Sequence, residues 1–211
     1  MKFSFAFVIL GLGGTALSHP AAELEARQDS GSYTISGLGA RKQQITAAGA
    51  DSFDLAIAML ETERMTADYA YGDNKQQDSA NFGIFKQNWG LLRECCSRFR
   101  GQPQSNWNNG AVLKYVDDPA PCSSITCCLR AHQWDSSNLN ADVQCLNECQ
   151  SYYGLDKWVA GHRNGATGLA NPNTQDIQNY RNGVNYIQSQ LTTQPNGLTN
   201  DVRYWIYVVP I

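Results

Sequence analysis

DSFDLAIAMLETERM, Asp51 to Met65, followed by TADYAYGDNKQQDSANFGIFKQNWG, Thr66 to Gly90, is the stretch that decides the fold. In its first half Phe53, Ile57 and Leu60 recur at helical spacing and Asp51 or Ser52 stands where a cap belongs, which predicts an amphipathic helix. In its second half Gly and Asn break short aromatic or branched runs, which predicts a small hairpin or irregular sheet. Working outward, the segments around Asn108 to Tyr115, Leu139 to Tyr153 and Leu155 to Gly161 read as half-buried helices. From Thr174 to Leu191 the stripe Ile177, Tyr180, Val184, Ile187, Leu191 predicts a longer helix, whose apolar side is better used in core packing than in a coiled coil. The tail VRYWIYVV, Val202 to Val209, alternates and is β-branched and aromatic, so it reads as a strand pairing with the body. The fold class expected is α+β: a mostly helical body with a small β-hairpin region.

At the amino terminus, MKFSFAFVILGLGGTALS has one lysine, an apolar run from Phe3 to Leu12 and small residues before Ser18, the pattern of a secretory signal peptide, residues 1–18. HPAAELEAR, residues 19–27, reads as a possible pro-segment. No segment approaches the roughly 20 apolar residues of a membrane-spanning helix. Residues 28–211 hold no Pro/Ser/Gly-rich linker and suit a single domain.

The chain carries 16 Lys and Arg against 19 Asp and Glu, a net charge of −3, and its basic residues are scattered. Nucleic acid and anionic polymers are approached with clustered cations, so a neutral partner fits better, and neither nucleic acid nor membrane is expected. The seven cysteines, Cys95, Cys96, Cys122, Cys127, Cys128, Cys145 and Cys149, are expected to form disulfides in an oxidising compartment, with one left over. The vicinal pairs Cys95-Cys96 and Cys127-Cys128 should reach different partners, because neighbours meet disulfide geometry only with strain. No metal and no cofactor are expected, since the chain has three histidines and no paired C-x-x-C units. No N-x-S/T sequon occurs.

Glu61 falls near the carboxyl end of the first helix, where the helix dipole and partial burial beside Ile57 and Met65 both favour the protonated form, as a general acid requires. The same position suits a solvated or capping glutamate, and Glu63 competes with it. Asp73, in the turn YGDN twelve residues on, could face Glu61 across a groove, which is the pair of carboxylates that glycoside hydrolysis uses. Asp in such a turn is also ordinary turn chemistry, and Asp78 and Asp68 are rivals.

Asn81-Phe82-Gly83-Ile84-Phe85-Lys86-Gln87-Asn88 resembles the D-Y-G-I-L-Q-I-N strand of animal c-type lysozymes, with Asn81 where that pattern has a catalytic Asp. The longer block from Glu61 to Gly90, with His132-Gln133-Trp134-Asp135 and Gly161-His162-Arg163-Asn164-Gly165, resembles glycoside hydrolase family 134, β-1,4-mannanases of lysozyme-like fold. The resemblance implies a substrate cleft between helical body and hairpin, and a secreted, endo-acting, inverting mannanase with Glu61 as acid and Asp73 as base. It implies a neutral polysaccharide, β-1,4-mannan, as partner of a monomer. Lysozyme- or chitosanase-like cleavage of another β-1,4-glycan and a non-catalytic carbohydrate-binding or effector protein are the alternatives. Sugar contacts should come from stacking rings and from amides, with Tyr71, Asn81, Gln87, Asn88, Trp89, Trp134, His162 and Arg163 as candidates. Trp89 and Trp134 read more readily as core residues than as sugar platforms.

Overall fold

The computed structural model describes residues 29–113 and 136–209. In chain order these form β1 (Ser30–Thr34), α1 (Leu38–Ala47), α2 (Ser52–Glu61), 3-10 turns at Tyr71–Asn74 and Gln77–Ser79, β2 (Asn81–Phe82) and β3 (Gln87–Asn88). There follow α3 (Trp89–Cys95), a 3-10 stretch Gln104–Leu113, α4 (Ser136–Tyr153), α5 (Leu155–Ala170), α6 (Gln175–Thr193) and β4 (Val202–Ile206). The architecture is α+β, a mostly helical body with two small antiparallel ribbons, β1-β4 and β2-β3.

α2 starts at a capping box: the Asp51 side chain accepts from Phe53 and Asp54 N–H, and Asp54 returns a bond to Asp51 N–H. It ends four residues earlier than the periodicity predicts. Thr62 is extended and turns its hydroxyl and N–H back onto Ala58 O, so Glu61 is the last helical residue. α2 packs along α6, whose expected stripe is almost fully buried, from Ile177 at 0% to Tyr180 at 2% exposure. α5 runs well past Gly161 but is kinked at Asn164 and Gly165, and the helix expected near Asn108 is a 3-10 stretch.

Two elements escape a reading based on apolar periodicity. α1 buries a lysine and an arginine, because each meets backbone carbonyls: Lys42 Nζ donates to Gly197, Asn200 and Val202 O at 2.8–3.0 Å, and Arg41 Nε to Met65 O at 2.9 Å. β1 is short and polar, and gains its ladder only by pairing with the tail, Ser30 with Ile206 through Thr34 with Val202. Disulfides Cys95–Cys149 and Cys96–Cys145 fasten α3 to α4, so the vicinal cysteines do reach different partners on successive turns. Cys122, Cys127, Cys128 and Trp134 lie outside the described residues, as do residues 1–27, expected to form a signal peptide and a possible pro-segment. No helix among the described residues is long and apolar enough to cross a membrane.

Candidate active site

The end of α2 delivers Glu61 to α5 and α6. Its Oε1 accepts from Tyr180 Oη at 2.7 Å and lies 3.2 Å from His162 Nε2. The His162 ring stacks on Trp158, centroids 4.9 Å apart and planes 13° apart, which fixes its orientation. Nδ1 of His162 has no hydrogen-bond partner among the described residues, so a proton assigned to Nε2 points at Glu61. Burial pushes the Glu61 carboxyl up, but the His162 bond and charge, the Tyr180 hydroxyl and the Lys86 charge together hold it below its ordinary value. The sequence-based expectation of a raised value is thus overturned: burial acts in the expected sense, and hydrogen bonds to the charged form outweigh it. The side chain keeps 19% exposure, enough to meet a ligand.

Beyond α2 the chain turns through Gly72, Asp73 and Asn74, all near φ 60°. Gly72 also sits against the Trp107 ring, where a Cβ would come within 3.2 Å, so the position suits glycine doubly. The turn presents Asp73 to the hairpin. Lys86 Nζ lies 3.0 and 3.2 Å from its two oxygens, and Asn81 Nδ2 donates to Oδ2 at 3.2 Å. Lys86 Nζ stands 4.9 Å over the Tyr69 ring, and Tyr69 Oη donates to Gly83 O. Burial and then the charges of Asp142, Asp73 and Glu61 raise the Tyr69 phenol far above its usual range. The charges of both carboxylates act on Tyr69, and Lys86 pairs with Asp73 while its charge also acts on Glu61.

Behind the hairpin, Asp142 of α4 is 1% exposed and accepts from Ile84 N–H and Gln87 Nε2, each at 2.7 Å. It pins the loop that carries Lys86. An open cleft of about 510 Å³ runs past this assembly, with Asn81, Asn88 and Asp78 on one wall and His162 and Asn164–Thr167 on the other. Asn81 also lines a narrow recess with Tyr69 and Tyr71.

Of the expected sugar contacts, Asn81, Asn88 and His162 meet in the cleft, and Tyr71 flanks it, 44% exposed and packed edge-on to Phe82. Asn88 also caps α3 through Leu91 N–H and ties it to Gly161 O. Gln87 departs from the expectation of a sugar contact, and Trp89 takes its core reading rather than the platform one. Gln87 is 2% exposed with its amide spent on Asp142, and Trp89 is fully buried against Phe99, so both serve the core. Arg163 points from the cleft wall to Asp176 and Val209 O. Among the rival carboxylates, Glu63 is exposed and takes the Tyr33 hydroxyl, while Asp78 is held by Arg93.

Tyr180, Lys86, Tyr69 and Asp142 are the residues that sequence reasoning missed. Tyr180 lies on a perfect apolar stripe and so reads as core; only its hydroxyl does polar work. Among the described residues no three His, Cys, Asp or Glu side chains group as a metal site.

No curated protein matches the chain. A family model, Glycosyl hydrolase family 134, matches residues 39–120 and 127–208, which include Glu61, Asp73, the hairpin and the whole of α5 and α6. The match covers most of the chain: the protein belongs to glycosyl hydrolase family 134 and is a glycoside hydrolase.

Proposed function

We propose that the protein is a secreted endo-β-1,4-mannanase that cuts mannan with inversion, Glu61 acting as general acid and Asp73 as general base, in a single catalytic domain spanning residues 28–211. The observation that carries this reading is the difference in how the two carboxylates are held. Glu61 receives both partners, Tyr180 Oη and His162 Nε2, on Oε1, and no hydrogen bond among the described residues engages Oε2. Oε2 is the oxygen that carries the proton to the glycosidic oxygen. Asp73 is oriented by an ammonium and an amide rather than by hydroxyl donors, as suits a base that takes a proton from water. As Glu61 Oε2 protonates the leaving oxygen, the C1–O bond breaks, the water oxygen bonds to C1 from the opposite face, and its proton passes to Asp73. The leader-like first 18 residues, together with the disulfides, support export.

Neutral substrate fits a cleft that offers the amides of Asn81, Asn88 and Asn164 beside one lysine, Lys75, and one aspartate, Asp78, and a chain with no basic cluster. Mannan itself is supported by the family. Reducing-sugar release from mannan, chitin and a bacterial cell wall, compared for the native protein, Glu61→Gln and Asp73→Asn, tests the reading. Release from mannan should exceed the others and fall by on the order of 10²-fold or more in either variant. Activity confined to chitin, or a dead Glu63→Gln beside an active Glu61→Gln, would overturn it. Binding without release in the native protein would point to a carbohydrate-binding module.

A further inference from the structure

The β1-β4 ribbon has two unlike faces. Antiparallel partners share a face, and on one side Tyr204, Ile206 and Val202 pack into the body, Tyr204 at 5% exposure with Lys42 over its ring. On the other side stand Tyr33 opposite Arg203, then Trp205 opposite Gly31, then Tyr207, whose N–H extends the ladder to Asp29 O. Tyr33 is 43% and Tyr207 62% exposed, and Trp205 is partly exposed. A glycine across from Trp205 leaves the flank of its indole without a cross-strand side chain.

We propose that this outward face is a second glycan-binding surface, on which a neutral β-linked polysaccharide stacks its sugar rings against Trp205, Tyr207 and Tyr33 outside the cleft. The charges at its edge are already engaged: Arg203 donates to Tyr33 Oη and Met59 O, and Glu63 takes the Tyr33 hydroxyl. What remains is aromatic and uncharged, which suits a neutral chain. A ribbon two strands wide and five residues long offers on the order of 17 by 10 Å, far below the roughly 800 Å² per partner of a stable protein interface. A rod-like polymer needs no more. The face is also continuous with the site. Tyr33 reaches Glu63, two residues beyond Glu61, and the far end of the strand reaches Val209, whose carbonyl is held by Arg163. Arg163 lies 5.4 Å over the ring of Tyr180, the hydroxyl donor to Glu61.

This surface rests on the reading of the substrate as a neutral β-1,4-glycan, and the test separates the two. Glu61→Gln protein, alone and with Trp205→Ala or Tyr207→Ala added, is sedimented with insoluble mannan, chitin and cellulose. Retention on mannan should weaken by roughly tenfold per ring removed, the scale of one aromatic contact. In the active background, kcat/KM on a short mannooligosaccharide should stay within about twofold, while KM on polymeric mannan rises by the same roughly tenfold. Retention on chitin or cellulose instead, weakened by the same substitutions, would overturn mannan as substrate and uphold the surface. Unchanged retention, no retention on any glycan, or a native dimer that Trp205→Ala splits into monomers would overturn the surface.

Discussion

Tyr180 and His162 both stabilise the charged form of Glu61, so removing one of them shifts the acid's titration in a defined direction. Tyr180→Phe takes away a donor to the carboxylate, the pKa rises, and the protonated acid survives to higher pH. The alkaline limb of the kcat/KM profile should therefore move up, with the acid limb in place. A limb that stays put, or moves down, would show that Glu61 does not set it. Glu61 was legible in the sequence because a capped amphipathic helix brings its last turn to a predictable place. Its partners were not, since Tyr180 obeys the apolar period that hides its hydroxyl and His162 comes from 101 residues away. Gln87 misled for a local reason: in a strand two residues long, alternation is too brief to tell the cleft side from the core side. Trp89, the first residue of α3, takes the core place that its sequence reading favoured.

At the scale of elements, the hairpin is the part that must stay rigid, because it carries both Asn81 and Lys86 to Asp73. Gly83 has φ 74°, and a Cβ there would lie 2.1 Å from Asp142 Oδ1. Gly83→Ala should destabilise the fold by roughly 1–3 kcal/mol and lower kcat on the polymer; full activity and stability would contradict the pinning role of Asp142. Asp142 also links the hairpin to pH. Burial pushes its carboxyl up to about 7, against the pull of Gln87, the Ile84 N–H and the Arg41 charge. Unfolded it titrates near 3.8, so the fold binds this proton more tightly. The resulting stability is complete below about pH 4 and lost as pH rises through 7. Thermal unfolding across that range should show the native protein losing ground to Asp142→Asn as pH increases, and a constant gap between them would refute it. The α3–α4 junction depends on its disulfides: Cys96→Ser with Cys145→Ser should cost about 2–4 kcal/mol, measured by denaturant unfolding. The cysteine spacing foretold that neighbours diverge, whereas the partners follow from how α3 and α4 cross.

Across the described residues, the first and last strands meet: the tail strand joins β1, and Val209 beyond it reaches Arg163 on one of the helices beside Glu61. The tail's strand character was readable from its alternation. Its partner was not, because β1 is polar, and α1 was concealed by an arginine and a lysine whose burial depends on carbonyls from distant turns. The central claim is the proposed pairing of Glu61 as acid with Asp73 as a base acting through water. Asn81 stands where a lysozyme-type pattern has its Asp, and here it donates to Asp73 instead, which under the proposed mechanism makes the preceding turn the source of the second carboxylate. An inverting pair is separated by roughly 6.5–9.5 Å, leaving room for water, against about 5–5.5 Å for a retaining pair. Asn81→Asp should accordingly not convert the enzyme to retention. The direct measurement is proton NMR of the first products released from β-1,4-mannan: α-configured reducing ends should appear before mutarotation, and β-anomers appearing first would contradict the assignment of Asp73 as a base acting through water.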